Sequence, residues 1–98
     1  MKILLICPWV VSLAPLRELL GGDGIAVEIV RVDFEAALRV ALIHDRFDTV
    51  FYTPTPGLPA SSVENAIREH APRLALQQVD RLEHVGTHLV QAVRARRS

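Results

Sequence analysis

Lys2-Ile3-Leu4-Leu5-Ile6-Cys7, closed by Pro8, is an apolar run after its first residue, with no alternation of polar and apolar positions. A strand that meets water on one face alternates, so an unbroken run of this length reads as a strand buried on both faces, at the centre of a parallel sheet. Working outward, Ser12 can cap a helix that runs to Leu20. Pro15 falls in its first turn, where a missing N–H does no harm, and Gly21-Gly22-Asp23-Gly24 supplies the stop. That glycine-rich stretch follows a helix and precedes a strand. It therefore lies at the edge of the sheet away from a binding crevice and reads as a turn, not as a phosphate loop.

Three more strand–helix units follow. Ala26 to Val32 is rich in β-branched residues and suits an outer strand, with Glu28 and Arg31 facing water. Asp33 caps the next helix, which buries Phe34, Ala37, Leu38, Ala41 and Leu42 and ends near His44 or Asp45. Asp48 to Thr53 is the third strand, and Pro54 to Pro59 is a loop that proline keeps out of both helix and ladder. Ser61 and Glu64 have capping-box spacing, and the helix carrying Val63, Ala66 and Ile67 stops at Pro72. Leu74 to Val79 is the fourth strand and Asp80 to Gly86 a loop. A last helix from about Thr87 to Arg96 packs Leu89, Val90 and Val93, with Arg94, Arg96 and Arg97 at its negative end.

Four alternations of strand and helix, joined by right-handed crossovers, predict an α/β, three-layer, flavodoxin-like sandwich: a four-stranded parallel sheet of order 2-1-3-4 with helices on both faces. The 98 residues, half of them apolar, suffice for one core, so residues 1–98 read as one domain. Eleven basic and eleven acidic side chains cancel, which leaves no field to draw nucleic acid or an anionic membrane. One cysteine allows no intrachain disulfide, and the first apolar run is too short for a signal-peptide core or a membrane span; the cytoplasm is the expected compartment.

In such a sheet, ligands and partners meet the carboxyl ends of the strands where strand order reverses. Those ends carry Cys7, Pro8 and Trp9, then Thr53, Pro54, Thr55 and Pro56, then Asp80 and His84. Trp9 is either a partner anchor or a lid over the core, and Tyr52 reads as core packing. His84 and His88 are four apart, but Gly86 stands between them, so they need not share a helix face and no metal is implied. His44 and His70 sit near helix C-termini, where an imidazolium is favourable.

Phe47-Asp48-Thr49-Val50-Phe51-Tyr52-Thr53, the Pro56-Gly57 turn, a capped helix and Ala71-Pro72-Arg73-Leu74-Ala75-Leu76 follow the course of a response-regulator receiver domain from its third to its fourth strand. Over residues 1 to about 79 the chain resembles that bacterial family. Matched residue by residue, the phosphoacceptor aspartate falls on Thr53, Cys7-Pro8-Trp9 replace the magnesium-binding acids, and Lys2 is the only lysine, so the conserved receiver lysine has no counterpart. Phosphoryl transfer leans on a metal and fixed cations, and these groups are missing. The resemblance therefore implies a shortened pseudo-receiver, without cofactor or catalysis, that acts by protein contact. A homodimer is expected, because a fourth strand without a fifth leaves an edge to be covered.

Two other resemblances stand beside it. The IIB proteins of the lactose and cellobiose phosphotransferase system are similar in length and place a phosphorylated cysteine where Cys7 stands, which implies a phosphocarrier. Pro8-Trp9-Val10-Val11 is a poor phosphate cradle, though, because proline removes a donor and no glycine permits close approach. Leu13 likewise stands where a low-molecular-weight phosphatase has its arginine. The plain alternative for Cys7 is a small buried hydrophobe. Lys2 to Trp9 also resembles the opening of cobalamin-binding domains that lead into a Pro-Trp pair, which implies a small-ligand domain; no histidine stands at the cobalt-ligand position.

Overall fold

The structure, a computed structural model, describes residues 1–22, 24 and 26–97, and of these all side chains but those of Val93, Arg96 and Arg97. The elements run β1 (Lys2–Ile6), α1 (Ala14–Gly22), β2 (Glu28–Val32), α2 (Glu35–His44), β3 (Thr49–Tyr52), α3 (Ala60–His70), β4 (Leu76–Gln78) and α4 (Leu82–Arg97). All strand pairs are parallel, in the order β2-β1-β3-β4, as the sequence predicts for a flavodoxin-like sheet. No helix among the described residues is long and apolar enough to cross a membrane.

The unbroken apolar run becomes the central strand, and the two-residue period sorts it between two cores. Leu4 and Ile6 join Val50 and Tyr52 beneath α2 and α3, which contribute Leu38, Ala41, Leu42, Val63, Ala66 and Ile67. Ile3, Leu5 and Cys7 join Phe51 on the other face, beneath Leu16 and Leu20 of α1 and Val85 and Leu89 of α4. Ile3 to Ile6 are all fully buried. At about 1.5–3 kcal/mol for each fully buried aliphatic side chain, this one strand contributes heavily on both sides of the sheet.

The helix starts differ from the sequence expectations. Ser12 Oγ accepts the Ala14 N–H at 3.2 Å, but the first helical bond runs from Arg17 N–H to Leu13 O, so Ser12 acts one residue ahead of the cap, and α1 continues through Gly21 and Gly22. Asp33 does not cap α2; Phe34 holds the cap position with extended backbone and no side-chain cap bond. Ser61 and Glu64 lie inside α3, which Pro59 opens, so no capping box forms. The helix thus starts two residues earlier than a Ser61 cap would place it.

The largest difference is α4, which starts at Leu82 rather than Thr87 and takes in Gly86. Gly86 is buried because α4 crosses α1 there: a Cβ would overlap Leu19 Cδ2 and lie 3.2 Å from Leu16 Cδ1. Close helix packing outweighs the roughly 1 kcal/mol propensity cost of a helical glycine. β2 begins at Glu28 instead of Ala26, and β4 is three residues long, Leu74 being held in a turn by its N–H bond to Ala71 O. Phe34, expected in the core, is exposed together with Val40 and Ile43. Asp23 of the glycine-rich turn, the packing of Val93 and the placing of the Arg96 and Arg97 side chains lie outside the described residues.

Candidate functional site at the carboxyl edge

Three backbone bonds extend the ladder one residue past the strands. Cys7 N–H donates to Val32 O, Thr53 N–H to Ile6 O, and Val79 N–H to Tyr52 O. Cys7, Thr53 and Val79 thus stand together at the carboxyl edge, where the strand order reverses between β1 and β3. Their side chains are turned inward. Cys7 is 1% exposed and its Sγ donates to Pro8 O at 3.6 Å. Thr53 is 5% exposed, and its hydroxyl donates to Ile6 O at 2.8 Å, clamping β3 to β1.

The loop after β3 is stitched in the same way. Thr55 Oγ1 donates to Thr53 O at 2.8 Å, Leu58 N–H to Thr55 O at 3.1 Å, and Tyr52 Oη to Leu58 O at 2.9 Å. Gly57 has φ +83°, which lets the chain turn so that Leu58 is fully buried. Thr55 is buried, whereas Pro54 and Pro56 are exposed. Tyr52 is core, with its hydroxyl satisfied. Hydroxyls and carbonyls here bond to one another, leaving little polar capacity directed outward.

What the edge does expose is the loop after β1. Trp9 is 60% and Val10 94% exposed, so Trp9 is no lid over the core. The loop is held from an unexpected direction. Arg31 of β2, expected to face water, is half-buried: its Nη1 donates to Pro8 O and Val11 O, and its guanidinium lies 4.4 Å from the Trp9 ring centroid. Arg31 Nε is buried and has no partner among the described residues, which marks how closely the side chain is drawn into the loop. The only sequence signal for this was a single arginine in an otherwise apolar strand end; that it would reach back across β1 depends on the sheet order.

Asp80 and His84 stand at the β4 end of the edge, both exposed, while the side-chain hydrogen bonds of Cys7 and Thr53 go to Pro8 O and Ile6 O. His84 and His88, four apart, do share α4, contrary to the expected loop, and both are exposed. The His88 ring centroid lies 6.1 Å from that of Phe51. Among the described residues no group of three His, Cys, Asp or Glu is placed to hold a metal.

The cavities open elsewhere. One of about 630 Å³ lies at the amino edge between the ends of α2 and α3, and another of about 370 Å³ lies between α4 and the amino ends of the strands. Lys2 organises this edge: its N–H donates to Asp48 Oδ2 at 2.7 Å and its ammonium to Asp45 Oδ1 at 2.9 Å. The Asp45 hydrogen bond is the main cause that holds the Lys2 ammonium above its ordinary pKa. His44 and His70 are the last residues of α2 and α3, as expected, and Arg39 Nη1 approaches His70 Nε2 at 3.2 Å. The sequence gives no sign of this cavity, because ligands of a parallel sheet are expected at the carboxyl ends of its strands. Comparison with protein-family models, curated proteins and solved structures returns no match.

Proposed function

We propose that the chain is a non-catalytic, receiver-like regulatory module that acts through protein contact at its carboxyl edge. The observation that carries this reading is the state of the two positions to which the resemblances assign chemistry. Thr53 and Cys7 are buried and bonded to main-chain carbonyls, while Trp9 and Val10 beside them are exposed. A group that accepts a phosphoryl must meet the donor, and a buried thiol or hydroxyl bonded inward does not. An exposed tryptophan held by an arginine is instead suited to anchor a partner, since both residue types concentrate binding energy at interfaces. The module is proposed to work in the bacterial cytoplasm as a homodimer. The three-residue β4, with Gln77 and Gln78 exposed, offers an edge that a second chain can cover.

The test is intact-mass and native-mass measurement after incubation with acetyl phosphate and magnesium, and separately with phosphoenolpyruvate and the general phosphotransferase proteins. The expected result is a dimer of unchanged covalent mass. A phosphoryl adduct that Cys7→Ser abolishes would replace this reading with the IIB-type phosphocarrier; one that Thr53→Val abolishes would restore a phosphorylated receiver. A bound small molecule at the carboxyl edge would favour the ligand domain.

A further inference from the structure

The cavity at the amino edge has a floor and a rim of different character. Leu42, Phe47, Ala71 and Leu74 supply apolar surface, and charged groups from two loops stand around it. Its two carboxylates are engaged: Asp45 accepts from the Lys2 ammonium, and Asp48 from the Lys2 N–H. Its two guanidinium groups are not. Arg46 and Arg73 are exposed and have no side-chain partner among the described residues. The C-terminal ends of α2 and α3 face this edge and favour cations, and α3 already carries Arg68 in its last turn. Arg46 and Arg73 lie beyond both helix ends, one in each connecting loop.

We propose that this cavity binds a small organic anion, with the carboxylate or phosphate group held by Arg46 and Arg73 and the apolar body seated over Phe47 and Leu74. Guanidinium forks match both anions through paired N–H donors, and the cavity volume is within the range of small-molecule sites. Of the two carboxylates, Asp45 is offset by the Lys2 ammonium, and one oxygen of Asp48 is occupied by the Lys2 N–H.

The probes are phenyl phosphate, benzoate, inorganic phosphate and uncharged benzyl alcohol, titrated into the full chain and followed by backbone amide shifts in two-dimensional NMR. Saturable shifts confined to residues 42–48 and 70–74 are expected with at least one aromatic anion. Arg46→Gln and Arg73→Gln should each weaken binding by about tenfold or more, as loss of a charge-assisted bond does, while Arg17→Gln on α1 leaves it unchanged. Both sites are exposed, so the variants should keep the parent spectrum elsewhere. Phenyl phosphate binding alone identifies a phosphate ester, and benzoate alone a carboxylate. Absence of saturable shifts with both aromatic anions, equal binding by the double arginine variant, or equal binding of benzyl alcohol overturns the proposal. So does inorganic phosphate matching phenyl phosphate, which would leave the apolar floor without a role.

Discussion

Two residues decide how the carboxyl edge behaves. Thr53 gives both its N–H and its hydroxyl to Ile6 O, so Thr53→Val removes one bond and still leaves that carbonyl a partner. The expected cost is about 1 kcal/mol by urea denaturation. Thr53→Asp, which places a carboxylate at this position, is different in kind. It brings a carboxylate against a carbonyl oxygen at a buried site, where it must take up a proton or be expelled. A loss of at least about 2 kcal/mol beyond the valine variant is expected at neutral pH, shrinking as the medium is acidified. If Thr53→Asp is as stable as the parent and becomes phosphorylated, the edge is more open than its bonding indicates. Arg31 has the complementary role, since it holds the exposed loop rather than the buried one. Trp9 is the only tryptophan, so its emission reports the loop directly. Arg31→Ala should red-shift that emission and raise its quenching by acrylamide, at a cost of about 1 kcal/mol in stability. Arg31→Lys should not restore it, because an ammonium lacks the planar guanidinium that lies over the ring while Nη1 holds the two carbonyls.

Elements were legible where burial wrote them and obscure where tertiary contact overrode local preference. The run from Ile3 to Cys7 reads as a central strand, and the four alternations with right-handed crossovers predict the order β2-β1-β3-β4 that the sheet has. The capping signals at Asp33 and at Ser61 with Glu64 were ordinary polar residues near a helix start, and chain direction at Phe34 and Pro59 settled the caps instead. Gly86 misled most, since a glycine between two histidines looks like a loop until α1 is known to lie against it. The carboxyl-edge residues follow from the strand ends, but their inward bonding and the grip of Arg31 depend on neighbours distant in sequence. The α1–α4 crossing also yields a graded prediction. In Gly86→Ala the new methyl group meets Leu19 Cδ2, the far end of a partly exposed side chain that can turn aside, and helix propensity offsets the strain by about 1 kcal/mol. Stability should change by less than about 1 kcal/mol. Gly86→Leu must separate the helices around Leu16 and should cost about 3 kcal/mol or more, read as a fall in melting temperature.

Across the whole molecule, charge is balanced in number, and ion pairs link separate elements. Arg39 on α2 reaches Glu35 on its own helix at 3.3 Å and Glu69 on α3 at 2.6 Å, while Lys2 ties β1 to the α2–β3 loop through Asp45 and approaches Glu28 at 3.9 Å. The Arg39 hydrogen bond, then its charge, holds the Glu69 carboxyl below its ordinary value, and Asp45 holds the Lys2 ammonium above its own. Folding therefore weakens proton binding at Glu69 and strengthens it at Lys2. The Glu69 contribution is complete above the ordinary carboxylate range, near pH 4.3, and is lost as pH falls through the depressed value. That of Lys2 is complete below about pH 10.4 and is lost as pH rises through the raised value. With respect to these two groups, melting temperature should form a plateau between an acid and an alkaline limb. Glu69→Gln should flatten the acid limb and leave the alkaline one, and Lys2→Met should do the reverse. Because both groups sit at the surface, about 1 M salt should shrink both limbs in the parent chain, the screening length falling to about 3 Å. Limbs that persist unchanged in high salt and in both variants would place the pH dependence on other groups and reduce these pairs to surface contacts without consequence for stability.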